Sequence, residues 1–168
     1  MIILIDTREQ HPFIFEAYDV EKKFHCLGNN RGDYSIHGFE GQINIERKSM
    51  EDAHGTILGW GARRENFLKE LEFLAGIEFS AIVVESSFET LLAESPEWGE
   101  KTAEENRKIL FRQVLAWQQD FKVPWIFCDS RRLAEAATFR LLQRFYEKRV
   151  IPKRSPKLTT ARRALKGI

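Results

Sequence analysis

Residues 32–48, GDYSIHGFEGQINIERK, decide the fold. Two β-prone arms, residues 34–37 and 42–47, flank Gly38, Phe39, Glu40 and Gly41. Two glycines in a four-residue connection predict a β-hairpin. In the second arm, period two places Ile43, Ile45 and Arg47 on one face and Asn44, Glu46 and Lys48 on the other. One face is therefore mostly core, and the other carries an acid and a base two residues apart.

Upstream, the β-branched run at residues 2–5, ended by Asp6, predicts a buried strand, and a second short strand is expected around residues 24–27. Downstream, Gly55, Gly59 and Gly61 predict a mobile loop. Phe67, Leu68, Leu71, Leu74 and Ala75 then follow helical spacing, stopped at Gly76. Residues 79–85 (FSAIVVE) read as a strand covered on both faces. Ser86 with Glu89, and Thr102 with Glu105, form capping-box patterns. The second opens a helix with Leu110, Val114, Trp117 and Phe121 along one side. Residues 124–128 predict another buried strand. Asp129 or Ser130 caps a helix to about Lys148, with Ala134, Ala137, Leu141 and Phe145 inward. Strands alternating with helices indicate an α/β sheet with helices on both faces.

A chain of 168 residues with 43% hydrophobic and 30% charged side chains suits one folded domain and excludes low-hydrophobicity disorder. Its apolar runs fall short of the roughly 18 residues of a membrane span. The first residues lack the basic region and apolar stretch of an export signal, so the expected location is cytoplasmic, with no membrane partner. Cys26 and Cys128 show neither CxxC spacing nor a nearby His pair, which argues against zinc and against a disulfide framework, and buried thiols are expected. No Gly-rich phosphate loop follows a predicted strand, which disfavours a nucleotide-binding α/β protein.

The formal net charge of +1 conceals an asymmetry. Residues 148–168 hold eight of the 26 bases and no acid, leaving 18 bases against 25 acids upstream. The body is thus −7 and the tail +8, separated by a linker-like stretch containing Pro152 and Pro156. An acidic body is compatible with metal binding, and a basic tail suits a polyanion.

Acids collect where predicted strands end: Asp6 and Glu9, then Asp33, then Glu46 beside Lys48 on one face. The hairpin can fold Asp33 toward Glu46. Converging carboxylates make a hard oxygen site for Mg²⁺ or Mn²⁺, whose remaining positions are filled by water and phosphate oxygens. A neighbouring lysine could orient or help deprotonate an attacking water and counter charge on the phosphate. Together these residues suit phosphodiester hydrolysis.

The segments Ile5-Asp6-Thr7-Arg8-Glu9, Gly32-Asp33-Tyr34, and Glu46-Arg47-Lys48 followed after three residues by Asp52 resemble the GDXnERKX3D signature of XPF-type structure-specific endonucleases, with that family's D-x-R-E strand end before it. The resemblance covers nearly the whole body. It implies a restriction-endonuclease-like core, a mixed central sheet flanked by helices, and a divalent-metal-dependent DNA endonuclease of the repair and recombination type, acting on branched or duplex DNA. Carried over, Asp33 and Glu46 are the metal-binding carboxylates and Lys48 the catalytic lysine. Asp6 and Glu9 complete the site, Asp6 also toward the metal, with Arg8, Arg47 and Asp52 supporting. Period two agrees for Arg47, which it turns away from Glu46 and Lys48.

Where the family commonly places an arginine-containing segment, this chain has Arg63 and Arg64, which could touch phosphate, and Trp60, which could stack on an unpaired base. Many members continue into a tandem helix-hairpin-helix domain. Here the body, residues 1–149, is followed by the basic tail, residues 150–168, with Lys153, Arg154, Lys157, Arg162 and Arg163 as expected DNA contacts. That suits a compact prokaryotic or phage-encoded version, with DNA as partner and a homodimer or an accessory DNA-binding protein as the expected assembly. The rival reading is a non-catalytic DNA-binding or scaffolding subunit. Such erosion would strike the GD or ERK residues, and all of them are intact.

Overall fold

The computed structural model describes residues 1–29, 31–59 and 61–150. Trp60 and the tail bases Lys153, Arg154, Lys157, Arg162 and Arg163 lie outside the described residues. The elements run β1 (Ile2–Asp6), β2 (Glu21–His25), β3 (Tyr34–Ile36), β4 (Ile43–Lys48), α1 (Met50–Leu58), α2 (Ala62–Gly76), β5 (Phe79–Val84), α3 (Phe88–Ala93), α4 (Ala103–Phe121), β6 (Trp125–Phe127) and α5 (Arg131–Val150). The six strands form one mixed sheet in the order β2-β1-β3-β4-β5-β6. The predicted hairpin is β3 and β4, antiparallel with Tyr34 opposite Ile45, while β4, β5 and β6 run parallel.

Strand periodicity divides the core in two. Ile3, Ile5, Ile43, Ile45, Ala81 and Val83 point to the face covered by α5, where they meet Ala134, Leu142 and Phe145. Ile82 and Val84 point to the other face, packed with Ala53 and Ile57 of α1, Phe67, Leu71 and Leu74 of α2, Leu91 of α3 and Val114 and Trp117 of α4. Period two requires this split, because a sheet covered on both faces must bury both sets of alternating side chains. At the other edge β2 is exposed along its whole length, and Glu21, Lys22 and Lys23 keep that edge polar.

Local chemistry sets most element ends. The Thr102 and Glu105 capping box is present, each side chain meeting the other residue's backbone N–H. Ser130 starts α5 by accepting from Leu133 N–H. The cap of α3 is Ser87, whose Oγ accepts Thr90 N–H at 3.0 Å, and not the expected Ser86, whose hydroxyl instead donates to the Ser87 carbonyl.

The expected mobile loop is also corrected: residues 50–58 form α1, capped by Ser49 accepting from Asp52 N–H. Gly55 sits buried inside this helix, with the Arg63 guanidinium lying close against it. The glycine marks a close approach, at the cost of helix propensity. Cys128 is buried as expected, but Cys26, just past the edge strand, is exposed. Among the described residues no helix is long and apolar enough to cross a membrane.

Candidate active site

Three strand ends meet on one side of the sheet. The Asp6 N–H donates to the Asp33 carbonyl at 2.8 Å, and the Asp33 N–H donates to the Ile45 carbonyl at 2.9 Å. This stitching holds residues 32–33 flat against β4. A Cβ at Gly32 would lie 2.5 Å from Asn44 Oδ1 and 2.9 Å from the Glu46 nitrogen, so only glycine lets the backbone come this close. The GD pair thus combines an approach with a charge: Gly32 admits the crossing, and Asp33 is delivered beside Glu46.

The resulting cavity, of about 1080 Å³, has Asp33, Glu46 and Lys48 in its lining together with Asp6, Glu9, Asp52 and Arg63. Lys48 Nζ donates to Glu46 Oε1 at 2.7 Å and lies 4.4 Å from the centre of the Phe67 ring. Burial would lower the Lys48 ammonium, but Glu46 and then Glu70 outweigh it and hold it above the usual lysine range. It is a firmly held cation.

Asp33 has the opposite balance. Its Oδ2 accepts the Arg47 N–H at 2.8 Å. Removal from bulk water, then the charges of Glu46 and Glu9, push it well above the ordinary carboxylate range, and Lys48 offsets only part of this. Glu70 is raised in the same way, by burial and then by the charge of Glu46.

Asp6 reaches the cavity wall but is already committed. Oδ1 accepts the Arg8 N–H and Nε, each at 2.8 Å, and Oδ2 accepts Arg8 Nη2 at 3.2 Å and the Leu27 N–H at 2.8 Å. Burial alone would raise its carboxyl, yet the Arg8 side chain and these two backbone N–H groups hold it below the usual value. With four donors on two oxygens, Asp6 is a clamp that ties the chain after β1 to Leu27, and Arg8 is the other half of it. Both Asp6 oxygens are thus engaged by fixed donors in this arrangement.

Glu9 is held differently. Its Oε1 accepts the His11 N–H at 2.7 Å and Arg47 Nη1 at 3.3 Å. Arg47 also donates through Nε to Glu85 at 2.8 Å, and Arg131 Nη1 reaches the same Glu85 oxygen at 2.6 Å. Burial would lower the Arg47 guanidinium, but Glu85 and Glu9 raise it further. Arg47 thus ties Glu9 to Glu85 on the face of β4 opposite Glu46 and Lys48, as period two implied.

Asp52 pairs with Arg63 at 3.2 Å, both half-exposed on the cavity rim. Arg64 is turned elsewhere: its guanidinium donates to the Ile57 carbonyl at 3.1 Å and to Gln113 Oε1 at 2.7 Å and covers the Trp117 ring. Of the two arginines, Arg63 alone lines the cavity.

Sequence reading missed the contribution of α2. Phe67, Glu70, Asn66 and Lys69 all line the cavity. A signal was present, since Glu70 falls one turn after the inward Phe67, which puts an acid on the buried face.

Among the described residues no three His, Cys, Asp or Glu side chains are grouped so as to hold a metal ion between them. The donor set fits the open kind of site, in which one or two carboxylates hold Mg²⁺ and other oxygens complete the octahedron. Asp33 and Glu46 are crowded like charges facing an open cavity, a repulsion that a cation would relieve.

The same path of strands and helices occurs in solved structures. The chain is similar to XPF from Aeropyrum pernix in complex with DNA, with a TM-score of 0.62 at 18% identity over 92% of this chain and 69% of that one. The fold is XPF-like. A second structure of XPF from Aeropyrum pernix matches with a TM-score of 0.55 at 19% identity, covering 88% of this chain and 70% of the other. No family model and no curated protein matches the sequence. The XPF-like fold thus bears out the restriction-endonuclease-like core with a mixed, helix-flanked sheet.

Proposed function

We propose that the chain is a divalent-metal-dependent DNA endonuclease that hydrolyses phosphodiester bonds in branched or duplex DNA. The observation that carries this is the undercompensated pair Asp33 and Glu46 beside the buried, protonated Lys48 at an open cavity. Asp33 and Glu46 would hold Mg²⁺ or Mn²⁺, and Asp6 is left out of that set by its four donors. When bound, the cation polarises the phosphate and lowers the pKa of a water.

Hydrolysis adds water across a bridging P–O bond, so negative charge grows on the non-bridging oxygens while the leaving oxygen gains a proton. Lys48, held as an ammonium, suits orienting the attacking water and meeting that charge better than abstracting a proton. Glu9, fixed by Arg47, adds negative potential at Asp33 and so strengthens the pull on a cation. Arg63 on the rim suits a flanking phosphate. The tail bases would supply long-range attraction that a −7 body lacks.

The test is incubation of the purified chain with labelled duplex, flap, fork and four-way DNA in Mg²⁺, Mn²⁺ or EDTA. Cleavage that needs the cation is expected. Binding without cleavage in every case would overturn the reading in favour of a non-catalytic DNA-binding subunit.

A further inference from the structure

A lysine carries its charge on a long, flexible stem, so the strand fixes where Lys48 begins and leaves its ammonium to be held by neighbours. In this structure Glu46 Oε1 is its hydrogen-bond partner. Glu46 is also a proposed cation ligand, and a carboxylate oxygen turned onto a divalent ion grips an ammonium less well. Without a second anchor, Lys48 would loosen just as the cation arrives.

Helix α2 supplies candidates for that anchor. Phe67 is 4% exposed, and its ring face lies under Nζ at 4.4 Å, a desolvated setting in which the attraction of a ring for a cation is strongest. Glu70 lies one turn on and lines the same cavity as Lys48, where its charge, after that of Glu46, favours the ammonium. The helix that presents both is rigidly seated. Leu71 and Leu74 are buried in the core, and the Phe67 ring meets those of Trp117 at 5.2 Å and Trp125 at 6.0 Å. Spacing of three residues puts ring and carboxylate on one face of α2, the face that lines the cavity beside the Lys48 ammonium.

We propose that Phe67 and Glu70 are positioning residues that keep the Lys48 ammonium aimed into the cavity when Glu46 turns to a divalent cation. This rests on the reading of Lys48 as the catalytic lysine. Phe67 and Glu70 act through Lys48, without touching the phosphate themselves.

The experiment follows the ¹H–¹⁵N resonance of the Lys48 ammonium in the full chain, assigned by its loss in Lys48→Arg, with Ca²⁺ as the added cation. Two changes are compared with wild type: Glu70→Gln, and replacement of Phe67 by a ring-fluorinated phenylalanine, which keeps the shape of the side chain while weakening the negative face of the ring. The fluorinated side chain covers the case in which Glu70→Gln folds poorly. In wild type the resonance should persist on adding Ca²⁺. In each changed protein it should broaden away with Ca²⁺ while Ca²⁺ affinity stays the same, and kcat should fall roughly tenfold with KM for DNA unchanged. Glu70→Asp, which retains the carboxyl, should recover part of that loss.

A wild-type resonance and kcat in both changed proteins would overturn the inference. So would a fall in Ca²⁺ affinity in Glu70→Gln, which would make Glu70 a cation ligand instead. If Lys48→Ala is inactive while both changed proteins behave as wild type, only this inference falls. Wild-type cleavage by Lys48→Ala would remove the underlying reading of Lys48 as well.

Discussion

Asp6 and Asp33 sit at the ends of neighbouring strands and are joined by one backbone hydrogen bond, yet their carboxylates live in opposite surroundings. Asp6 receives four donors and is held below the ordinary carboxylate range. Asp33 accepts one backbone N–H, faces Glu46 and Glu9, and is pushed well above that range. The same side chain is a structural tie in one place and an unmet demand for positive charge in the other. Compensation by fixed donors separates them, because a carboxylate whose lone pairs are filled has little left to offer a cation.

Turnover should separate the two acids most strongly. Asp33→Asn, Glu46→Gln and Lys48→Ala should each lower turnover by ~10² or more, with DNA affinity little changed. Single-turnover cleavage with folding checked by circular dichroism decides it, and wild-type rates in any one variant would remove that residue from the mechanism.

Asp6→Asn should act on stability instead. Asn keeps one acceptor and gains an N–H₂ that faces donors, so about 1–3 kcal/mol should be lost for a clamp this buried. Denaturant unfolding gives that number. Half-maximal activity of the folded fraction should fall at the wild-type Mg²⁺ concentration, and a shift to higher concentration would return Asp6 to the cation.

The pH dependence sharpens the contrast, because the two shifts have opposite signs. A lowered folded pKa means that the Asp6 contribution is present above its unfolded value of about 3.9 and is lost as pH falls through the folded one. A raised folded pKa means that ionising Asp33 costs stability, a penalty absent below about pH 4 and complete once pH exceeds its folded value. At neutral pH, Asp33→Asn should therefore melt above wild type and Asp6→Asn below it. Both should converge on wild type in acid. Melting curves between pH 3 and 8 check this, and parallel curves would show that neither charge matters to folding.

The smallest effect concerns Glu9. Glu9→Gln keeps the acceptor for Arg47 and removes the negative charge beside Asp33. The Asp33 carboxyl should then titrate closer to the ordinary range, read by ¹³C NMR, with an activity loss under about tenfold. An unmoved Asp33 midpoint would mean that Glu46 and burial account for its shift without Glu9.

Much of the fold was legible because its signals are local. The glycines of residues 38–41 and the alternation of Ile43, Asn44, Ile45 and Glu46 mark the hairpin and both faces of β4 without reference to any neighbour. Thr102 with Glu105 marks a helix start in the same way. Misreadings arose where a residue answers to a distant partner. Gly55 looks like loop chemistry, yet the helix that Ser49 caps runs through it and packs into the core. Ser86 and Ser87 are both plausible caps, and the backbone chose the second.

By itself, then, the sequence determined the strand and helix order, the two-faced β4, and the set of acids and bases around GD and ERK, since these follow from periodicity and spacing along the chain. Only the tertiary structure decided which of those charges are spent. Leu27 and Arg8 fill Asp6, Arg64 turns to Gln113, and Glu70 arrives beside Glu46 from a helix more than 20 residues downstream. The physical reason is that the electrostatic state of a buried group is set by every donor and charge within a few ångströms of it. Those neighbours come from strands and helices far apart in the chain.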